Sequence, residues 1–307
     1  MQIRSAMTNL AIKALSESLN VDVMTVIAEK LMHNYDLYQR TGYPSNIPIQ
    51  KIDAAKQIVK DIKQQDLFLD LINLLILFHT EGHMGRKYQI QHLKAIIRDV
   101  QEAGMIYDQI NRTFVENSDF KKTRNWGVLR EGQEYIQAFL RLDIVGNTKL
   151  VKKYPEDIIQ ATYADLRDIV KRSIDAREGR IWNWEGDGGL VAFYYGNKNF
   201  SAVTSGMEIV HDIFIYNQVA CRLDNPLGVR IAVHSGLCEY TANEEDLKKR
   251  DVIKKLVDIE AKYTNPNSLS ISSVVRNSLD KQLSSHFVPV NGGKGNDIFN
   301  YQLRWVQ

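Results

Sequence analysis

Apolar residues recur at near-helical spacing at the start of the chain. Two series follow this spacing: Leu10, Leu15 and Leu19, and then Val23, Ile27 and Leu31. Apolar positions that repeat about every three to four residues form one face of an amphipathic helix. The stretch TGYPSNIPIQ (41–50) interrupts the pattern with one glycine and two prolines, which break helices. We predict a helical N-terminal region over residues 1–65.

The apolar run LFLDLINLLILF (67–78) is twelve residues long and contains Asp70 and Asn73. A membrane-spanning helix needs about 20 apolar residues, so the run predicts a buried core helix and no membrane partner. An amphipathic helix follows over 90–107, stopped by Gly104, and then two short β-prone runs, MIYD and RTFVEN. This order resembles a winged helix at the level of the fold, and we predict a helical, winged-helix-like module over 66–135.

The second helix of this module carries Lys94 and Arg98 but also Asp99 and Glu102. A nucleic-acid reader normally presents a basic face, so we expect no nucleic-acid partner, and a regulatory or packing role is the simpler interpretation.

From residue 136 onwards, β-prone runs alternate with long amphipathic segments. Their order is strand, helix, hairpin, helix, strand, helix and strand, which contains the series β-α-β-β-α-β. This series predicts an α+β domain over 136–307, a ferredoxin-like sandwich with helices on one face of one sheet.

Composition narrows the class of protein further. The chain has 44% hydrophobic and 25% charged residues and a net charge of +2, which is typical of a soluble globular protein without a strong field. Its two cysteines, Cys221 and Cys238, are too few for a disulfide framework. The N-terminus shows no apolar segment followed by a cleavage site, so we expect a cytoplasmic protein.

Two aspartates stand where apolar runs end. Asp143 closes the run in FLRLDIVGNTKL (139–150), and Asp187 lies in the turn of WEGDGG (184–189). Glycines 186, 188 and 189 can give that turn its positive φ angles. Asp143 has a simpler interpretation as a helix cap and Asp187 as a turn residue. If the first strand and the hairpin are neighbours, the two carboxylates instead face each other.

Paired carboxylates repel unless a positive group lies between them. Oxygen ligands favour Mg²⁺ or Mn²⁺, so we predict two divalent cations at this position. The loop after Asp143 turns backbone N–H groups toward one point, which suits a triphosphate. Gly146 allows a phosphate to approach without a Cβ in the way.

Four motifs, in order over residues 139–303, resemble those of class III adenylyl and guanylyl cyclases. They are FLRLDIVGNTKL (139–150), GRIWNWEGDGGLVAFY (179–194), VRIAVHSG (229–236) and NGGKGNDIFNYQL (291–303). The resemblance implies a class III cyclase sandwich at the C-terminus and a head-to-tail homodimer with sites at the interface.

The same resemblance implies roles for individual residues. Asp143, Asp187 and the Ile144 carbonyl would bind the cations. The loop Ile144, Val145, Gly146, Asn147 and Thr148 would hold the phosphates of a nucleoside triphosphate. Lys294 would meet the terminal phosphates, although it is also interpretable as an exposed turn lysine.

The chain departs from the family pattern at two places. Asn183 stands where purine cyclases have a base-selecting lysine, flanked by Trp182 and Trp184, which strand alternation should turn toward the opposite, core face. Lys254 and Asp258 replace the family's transition-state asparagine and arginine. Lys255, Arg250 and Lys262 are candidates for the missing charge.

An altered base pocket, a retained metal pair and a helical N-terminal region resemble the bacterial pyrimidine cyclases of Pycsar antiphage systems. An amide offers both a donor and an acceptor to a pyrimidine edge, which suits Asn183. The resemblance implies conversion of UTP or CTP to the 3′,5′-cyclic monophosphate. The alternatives are an adenylate or guanylate cyclase with an atypical base pocket and a degenerate nucleotide-binding regulator.

Overall fold

The computed structural model describes residues 3–290 and 297–303. The chain divides into two compact units, Met1–Lys122 and Thr123–Gln307. None of the helices in the described residues combines the length and apolar character that crossing a membrane requires.

The first unit consists of six helices and one β-hairpin in its described part. They are α1 (Ser5–Ser18), α2 (Val21–Leu31), α3 (Leu37–Thr41), α4 (Lys51–Gln64), α5 (Phe68–Thr80), α6 (Leu93–Glu102), β1 (Met105–Asp108) and β2 (Thr113–Glu116). Helix α5 contains most of the apolar run, and its buried residues include Leu71, Ile72 and Leu75. The prediction of a buried core helix is therefore confirmed. Helices α5 and α6 are followed by the β1–β2 hairpin, which is the order that suggested a winged-helix-like module.

The second unit contains a mixed sheet and the remaining helices. In chain order they are β3 (Glu134–Ile144), α7 (Asn147–Lys153), α8 (Glu156–Asp175), β4 (Arg180–Glu185), β5 (Gly188–Phe193), α9 (Lys198–Val219), β6 (Val229–Glu239), α10 (Glu244–Lys248), α11 (Asp251–Tyr263), β7 (Ser268–Ser272), α12 (Ser273–Arg276), α13 (Lys281–Ser284), β8 (Val288–Pro289) and β9 (Ile298–Gln302).

The sheet of this unit has seven strands in the order β4-β5-β3-β6-β7-β9-β8. Each neighbouring pair among β4, β5, β3 and β6 is antiparallel, and α8 and α9 make the two crossovers between these strands. The order of strands and helices along the chain, and the order of the strands in the sheet, are those of the ferredoxin-like β-α-β-β-α-β fold. The predicted α+β sandwich at the C-terminus is confirmed.

One face of this sheet packs on α8 and α9 and forms an apolar core. Leu140 and Leu142 of β3 and Ile231 of β6 belong to it together with residues of both helices. A fully buried side chain of this kind contributes about 1.5–3 kcal/mol relative to an exposed one. This layer holds the sheet and therefore fixes where the strand ends lie.

Helix α11 packs on the opposite face, so the expectation of helices on one face only is wrong. Its Glu260 reaches Arg141 of β3 and Arg230 of β6, whereas their chain neighbours Leu140 and Ile231 point into the other core. Strand side chains alternate between faces, so the two layers are built from alternate residues of the same strands.

Candidate active site

Asp143 lies near the end of β3, on the face of the sheet that carries α11. It is paired with Gly188 of β5 on one side and with Arg230 of β6 on the other. Directly opposed residues of antiparallel strands point to the same face. Arg230 accordingly donates from Nη2 to Asp143 Oδ2 at 2.6 Å. The side chain of Asp143 is engaged there, and the next helix has Gly146 as its N-cap without a side-chain cap, so the capping interpretation has no support.

Asp187 lies in the turn between β4 and β5. The backbone N–H of Ile144 donates to the Asp187 carbonyl oxygen at 3.1 Å, which ties this turn to the end of β3. Asp143 and Asp187 both line one small cleft. Two carboxylates 44 positions apart in the sequence are thus brought together because β5 pairs directly with β3.

The glycines of the hairpin have different roles from those predicted. Only Gly186 has a positive φ, of 42°; Gly188 and Gly189 lie within strand β5. A Cβ built on Gly188 would stand 2.2 Å from the Leu142 carbonyl oxygen, and one on Gly189 would stand 2.5 Å from the ring of Trp184. These two glycines therefore allow the β3 backbone and the Trp184 ring to pack closely against β5, and they do not form a left-handed turn.

The loop from Ile144 to Thr148 connects β3 to helix α7. The Val145 N–H donates to the Gly228 carbonyl at 2.9 Å, and Gly146 has a left-handed conformation as the N-cap of α7. A Cβ at Gly146 would meet no atom within 4 Å, so the space beside it is open. Thr148 lies exposed in the first turn of α7.

Asn147 fixes the orientation of Asp187. Its Nδ2 donates to Asp187 Oδ2 at 2.9 Å, and its Oδ1 accepts from Tyr163 Oη at 2.5 Å. Burial raises the pKa of Tyr163, which keeps the phenol protonated as a donor. Asn147, predicted as part of the phosphate loop, therefore also holds the Asp187 carboxylate by a hydrogen bond.

A buried ion-pair network lies beneath Asp143. Glu260 of α11 is 3% exposed. Its Oε1 lies 2.7 Å from Arg230 Nε, and its Oε2 lies 3.3 Å from Arg141 Nε. Burial raises the pKa of Glu260, and the Arg230 guanidinium opposes that rise. Two carboxylates and two guanidinium groups give this group no net charge, which is the condition under which buried charges are tolerated.

The cleft itself has a volume of about 60 Å³. It is lined by Arg141, Leu142, Asp143, Asn183, Glu185, Asp187, Gly188, Gly189 and Lys248. Lys248, the last residue of α10, contacts Glu185 at 3.0 Å and Glu245 at 3.1 Å, and these hydrogen bonds raise its pKa. The cleft therefore has an acidic floor with a cation at its edge.

Asn183 is in the cleft, beside Glu185, to whose Oε1 it donates at 3.4 Å. The two neighbouring tryptophans differ from each other. Trp184 packs against the apolar core as predicted, whereas Trp182 is buried against Tyr240 with ring centroids 5.4 Å apart. A register shift between Ile181 and Asn183 causes the difference, because the extra residue of a bulge breaks the alternation of faces.

The three cations considered as transition-state substitutes do not line the cleft. Arg250 is paired with Glu239 at 2.7 Å, Lys262 is paired with Asp258 at 2.9 Å, and Lys255 is exposed on α11. Lys294 lies outside the described residues. Within the described part of the chain, the cations at or beside the site are instead Arg141, Arg230 and Lys248.

Of the residues that build the site, the motifs do not identify Arg230, Glu260 and Lys248 as functional. The sequence did contain an indication for Glu260, which falls on the buried face of α11 together with Ile253 and Leu256. A glutamate is rarely fully buried unless it is paired, so this position suggests a charged partner. Arg230 lies in the motif VRIAVHSG (229–236), but the motif gave it no role, because only strand pairing brings it to Asp143. Lys248 had no signal, because only the course of α10 brings it to the cleft.

The residues present fit a hard divalent cation. Asp143 and Asp187 supply carboxylate oxygens, which Mg²⁺ and Mn²⁺ prefer. Among the described residues no group of three or more histidine, cysteine or carboxylate side chains could hold a metal. A protein ligand set this small suits an ion that takes its remaining ligands from water and substrate phosphates.

A larger open groove, of about 660 Å³, runs along α8 and α9. Its Asp165 is already paired with Arg222 and accepts a hydrogen bond from Tyr216 at 3.1 Å. Its lining comes from α8, α9 and the segment directly after α9, with no strand end among the lining residues, so it offers no comparable set of convergent groups.

No family model and no curated protein matches the chain. Several solved structures are similar to part of it. The guanylyl cyclase domain of the RhoGC fusion protein from the aquatic fungus Blastocladiella emersonii is 15% identical, with a TM-score of 0.45, and the match covers 56% of this chain and 98% of that one.

Two bacterial structures give similar values. The adenylate/guanylate cyclase/hydrolase from Silicibacter pomeroyi is 18% identical over 56% of this chain and 99% of its own, with a TM-score of 0.46. The adenylyl cyclase CyaB from P. aeruginosa is 17% identical over 57% of this chain and 96% of its own, with a TM-score of 0.44.

Proposed function

We propose that the C-terminal unit is a nucleotide cyclase that converts UTP or CTP to the 3′,5′-cyclic monophosphate and pyrophosphate. The observation that carries the proposal is the meeting of Asp143 and Asp187 at one cleft, next to a glycine-containing loop at the start of a helix. The ribose 3′-oxygen forms a new bond to the α-phosphorus, the bond to pyrophosphate breaks, and the 3′-hydroxyl proton passes to solvent.

Asp143, Asp187 and the Ile144 carbonyl would hold two divalent cations, Mn²⁺ or Mg²⁺. When bound, these ions neutralise phosphate charge and favour ionisation of the attacking oxygen. Asn147 keeps the Asp187 carboxylate oriented. Catalysis of this kind is mainly positioning and electrostatic stabilisation, and the site's rigid strand ends suit that role.

The polyphosphate would lie along residues 144–148, where the space beside Gly146 is open. A guanidinium binds phosphate through a planar fork of donors. Arg230, whose Nη2 contacts a carboxylate oxygen, would turn such donors to the substrate once Asp143 is engaged with a cation. The family resemblance adds Lys294 at the terminal phosphates.

The base would lie toward Asn183 and Lys248, at the edge of the cleft remote from the loop. An amide supplies both a donor and an acceptor, and an ammonium supplies donors only, so the pair can satisfy the carbonyl oxygen and ring nitrogen of a pyrimidine. Asn183 is shorter than the lysine of purine cyclases, which supports a different base preference. The role as an alarm-signal synthase in antiphage defence rests on the resemblance to Pycsar cyclases.

A second copy of the chain would complete the site. Pockets for drug-sized ligands have volumes of about 300–1,000 Å³, and the cleft of the described residues has about 60 Å³. A triphosphate therefore needs further walls, and a head-to-tail homodimer supplies them at two equivalent sites. Sedimentation of the purified chain with parallel activity measurement tests this, since an active monomer at all concentrations contradicts it.

Nucleotide profiling tests the proposed reaction. The full chain is incubated with ATP, GTP, CTP and UTP separately in the presence of Mn²⁺, and the cyclic products are separated by chromatography and identified by mass. We expect a pyrimidine cyclic nucleotide as the main product. Turnover of ATP or GTP alone contradicts the pyrimidine assignment and favours a purine cyclase with an atypical pocket.

A degenerate regulator is the second candidate function. Two observations favour it: the Asp143 carboxylate is already paired with Arg230 at 2.6 Å, and the family's transition-state pair is replaced by Lys254 and Asp258. Metal-dependent nucleotide binding without any product from the four triphosphates supports this candidate against the cyclase.

A further inference from the structure

We infer that Glu260 is a positioning residue that holds Arg230 and thereby sets how strongly the site binds a divalent cation. The inference rests on the proposed function, because it concerns the same metal-binding carboxylates. Glu260 itself does not line the cleft; it lies beneath the site on α11 and acts through Arg230.

Arg230 is shared between two carboxylates. Its Nε lies 2.7 Å from Glu260 Oε1, and its Nη2 lies 2.6 Å from Asp143 Oδ2. A cation that binds Asp143 competes with this guanidinium for the negative charge of the carboxylate. The more of the Arg230 charge that Glu260 balances, the weaker this competition.

Arg141 competes for the same glutamate. Its Nε lies 3.3 Å from Glu260 Oε2, and it carries the same charge as Arg230. Removing Arg141 leaves Glu260 to Arg230 alone, which draws Arg230 away from Asp143. Removing the charge of Glu260 does the opposite, because Asp143 then becomes the only carboxylate partner of Arg230 in this network.

The two substitutions therefore shift metal affinity in opposite directions. Supporting residues around metal sites typically change affinity about 10–100-fold, and we expect Glu260→Gln to weaken Mn²⁺ binding by about 10-fold. Arg141→Gln strengthens Mn²⁺ binding severalfold. When both substitutions are combined, Arg141→Gln no longer strengthens Mn²⁺ binding relative to Glu260→Gln alone, because Arg141 acts on Arg230 through Glu260.

Mn²⁺ binding to the full chain is measured without nucleotide, by titration followed with the electron paramagnetic resonance signal of free Mn²⁺. The matched control is Asp251→Asn, which removes a carboxylate from the same helix at a fully exposed position beside Lys254. It leaves Mn²⁺ affinity unchanged. The Mn²⁺ concentration for half-maximal turnover rises in Glu260→Gln, falls in Arg141→Gln and stays unchanged in the control.

Several results overturn the inference. The first is an unchanged Mn²⁺ affinity in Glu260→Gln. The second is a similar loss of affinity in Glu260→Gln and Arg141→Gln, which indicates a merely structural network. The third is a gain of affinity from Arg141→Gln that is also seen when Glu260→Gln is present. If Glu260→Gln does not fold, Arg141→Gln decides by the sign of its effect, since Glu260 stays paired with Arg230.

The failure of the inference and that of the proposed function are distinguishable. Mn²⁺ binding and cyclase turnover by the unmodified chain, with no response to Glu260→Gln, remove the positioning role alone. Absence of Mn²⁺ binding by the unmodified chain removes the metal site and the positioning role together.

Discussion

The two faces of the C-terminal sheet are made by alternate residues of the same strands and differ in chemistry. The face under α8 and α9 is closed by apolar side chains such as Leu140 and Val233. The face under α11 carries charged residues at its strand ends, among them Arg141 and Asp143. The first face holds the strands in place mainly through apolar contacts. The second accepts buried charges because they are paired, and it therefore has groups available for chemistry.

The comparison implies that substitutions on the two faces separate activity from stability. The largest effect should come from the carboxylates. Asp143→Ala and Asp187→Ala each remove a proposed cation ligand, and we expect turnover to fall by at least about 10²–10³-fold, on the scale of losing one strong electrostatic contact in an active site. Product formation per folded protein is the measurement, with circular dichroism to verify the fold.

Asp251→Ala is the matched control for these two variants, because its side chain is fully exposed on α11, where it lies 3.3 Å from Lys254. It should leave turnover unchanged. Near-normal turnover in either aspartate variant contradicts the metal assignment of that residue.

Leu140→Ala tests the apolar face. Leu140 is buried and adjacent in sequence to Arg141 but points to the opposite side. Truncation leaves a cavity, and we expect the free energy of unfolding to fall by about 2–5 kcal/mol. Chemical denaturation measures the loss. Turnover of the folded fraction should remain close to that of the unmodified chain, and a selective loss of turnover at full stability contradicts the division of roles.

His234 is a buried ionisable group on the α11 face, and within the described residues its side-chain hydrogen bond is to a serine and not to a carboxylate. Its Nδ1 lies 2.8 Å from Ser272 Oγ. Burial, with a smaller contribution from Lys255, lowers the pKa of His234 from 6.5 to about 4. Above pH 6.5 the imidazole is neutral in both the folded and the unfolded chain, so it has no effect on stability there.

As the pH falls from about 6.5 to about 4, the unfolded chain takes up a proton that the folded chain excludes, and stability falls by up to about 3 kcal/mol. Urea denaturation across this range measures the dependence. His234→Gln should remove this part of the pH dependence while the contribution of the carboxylates remains. An equally steep dependence in the variant rules out His234 as the cause.

Asn147→Ala should have the smallest effect of this series. It removes the donor to Asp187 Oδ2 without removing a proposed ligand. Loss of a supporting hydrogen bond typically costs about 10–100-fold in metal affinity, and we expect turnover to recover at high Mn²⁺ concentration. A loss that no Mn²⁺ concentration restores indicates that Asn147 acts mainly through the phosphates of the substrate and not through Asp187.

Much of the fold was predictable because it depends on local patterns. The alternation of apolar residues in β3 and the amphipathic repeats of α8 and α11 specify strands and helices by themselves. The residues around Asp187 show the limit: Gly186 has the predicted turn conformation, while Gly188 and Gly189 are required by packing against β3 and β4. Trp182 and Trp184 pack in different surroundings because of a β-bulge between Ile181 and Asn183, which the local sequence pattern does not predict.

By itself, the sequence determined which residues carry charge at strand ends and that Asp143 and Asp187 each precede or occupy a turn. Only the tertiary structure decided which of them meet, because pairing of β3 with β5 and β6 is a contact between distant segments. The same holds for Glu260: its position on a buried helix face is visible in the sequence, but its two arginine partners come from β3 and β6. Buried charges are stable only when oppositely charged groups lie close to them. Charged residues that are far apart in the sequence become neighbours only when the strands of the sheet pair.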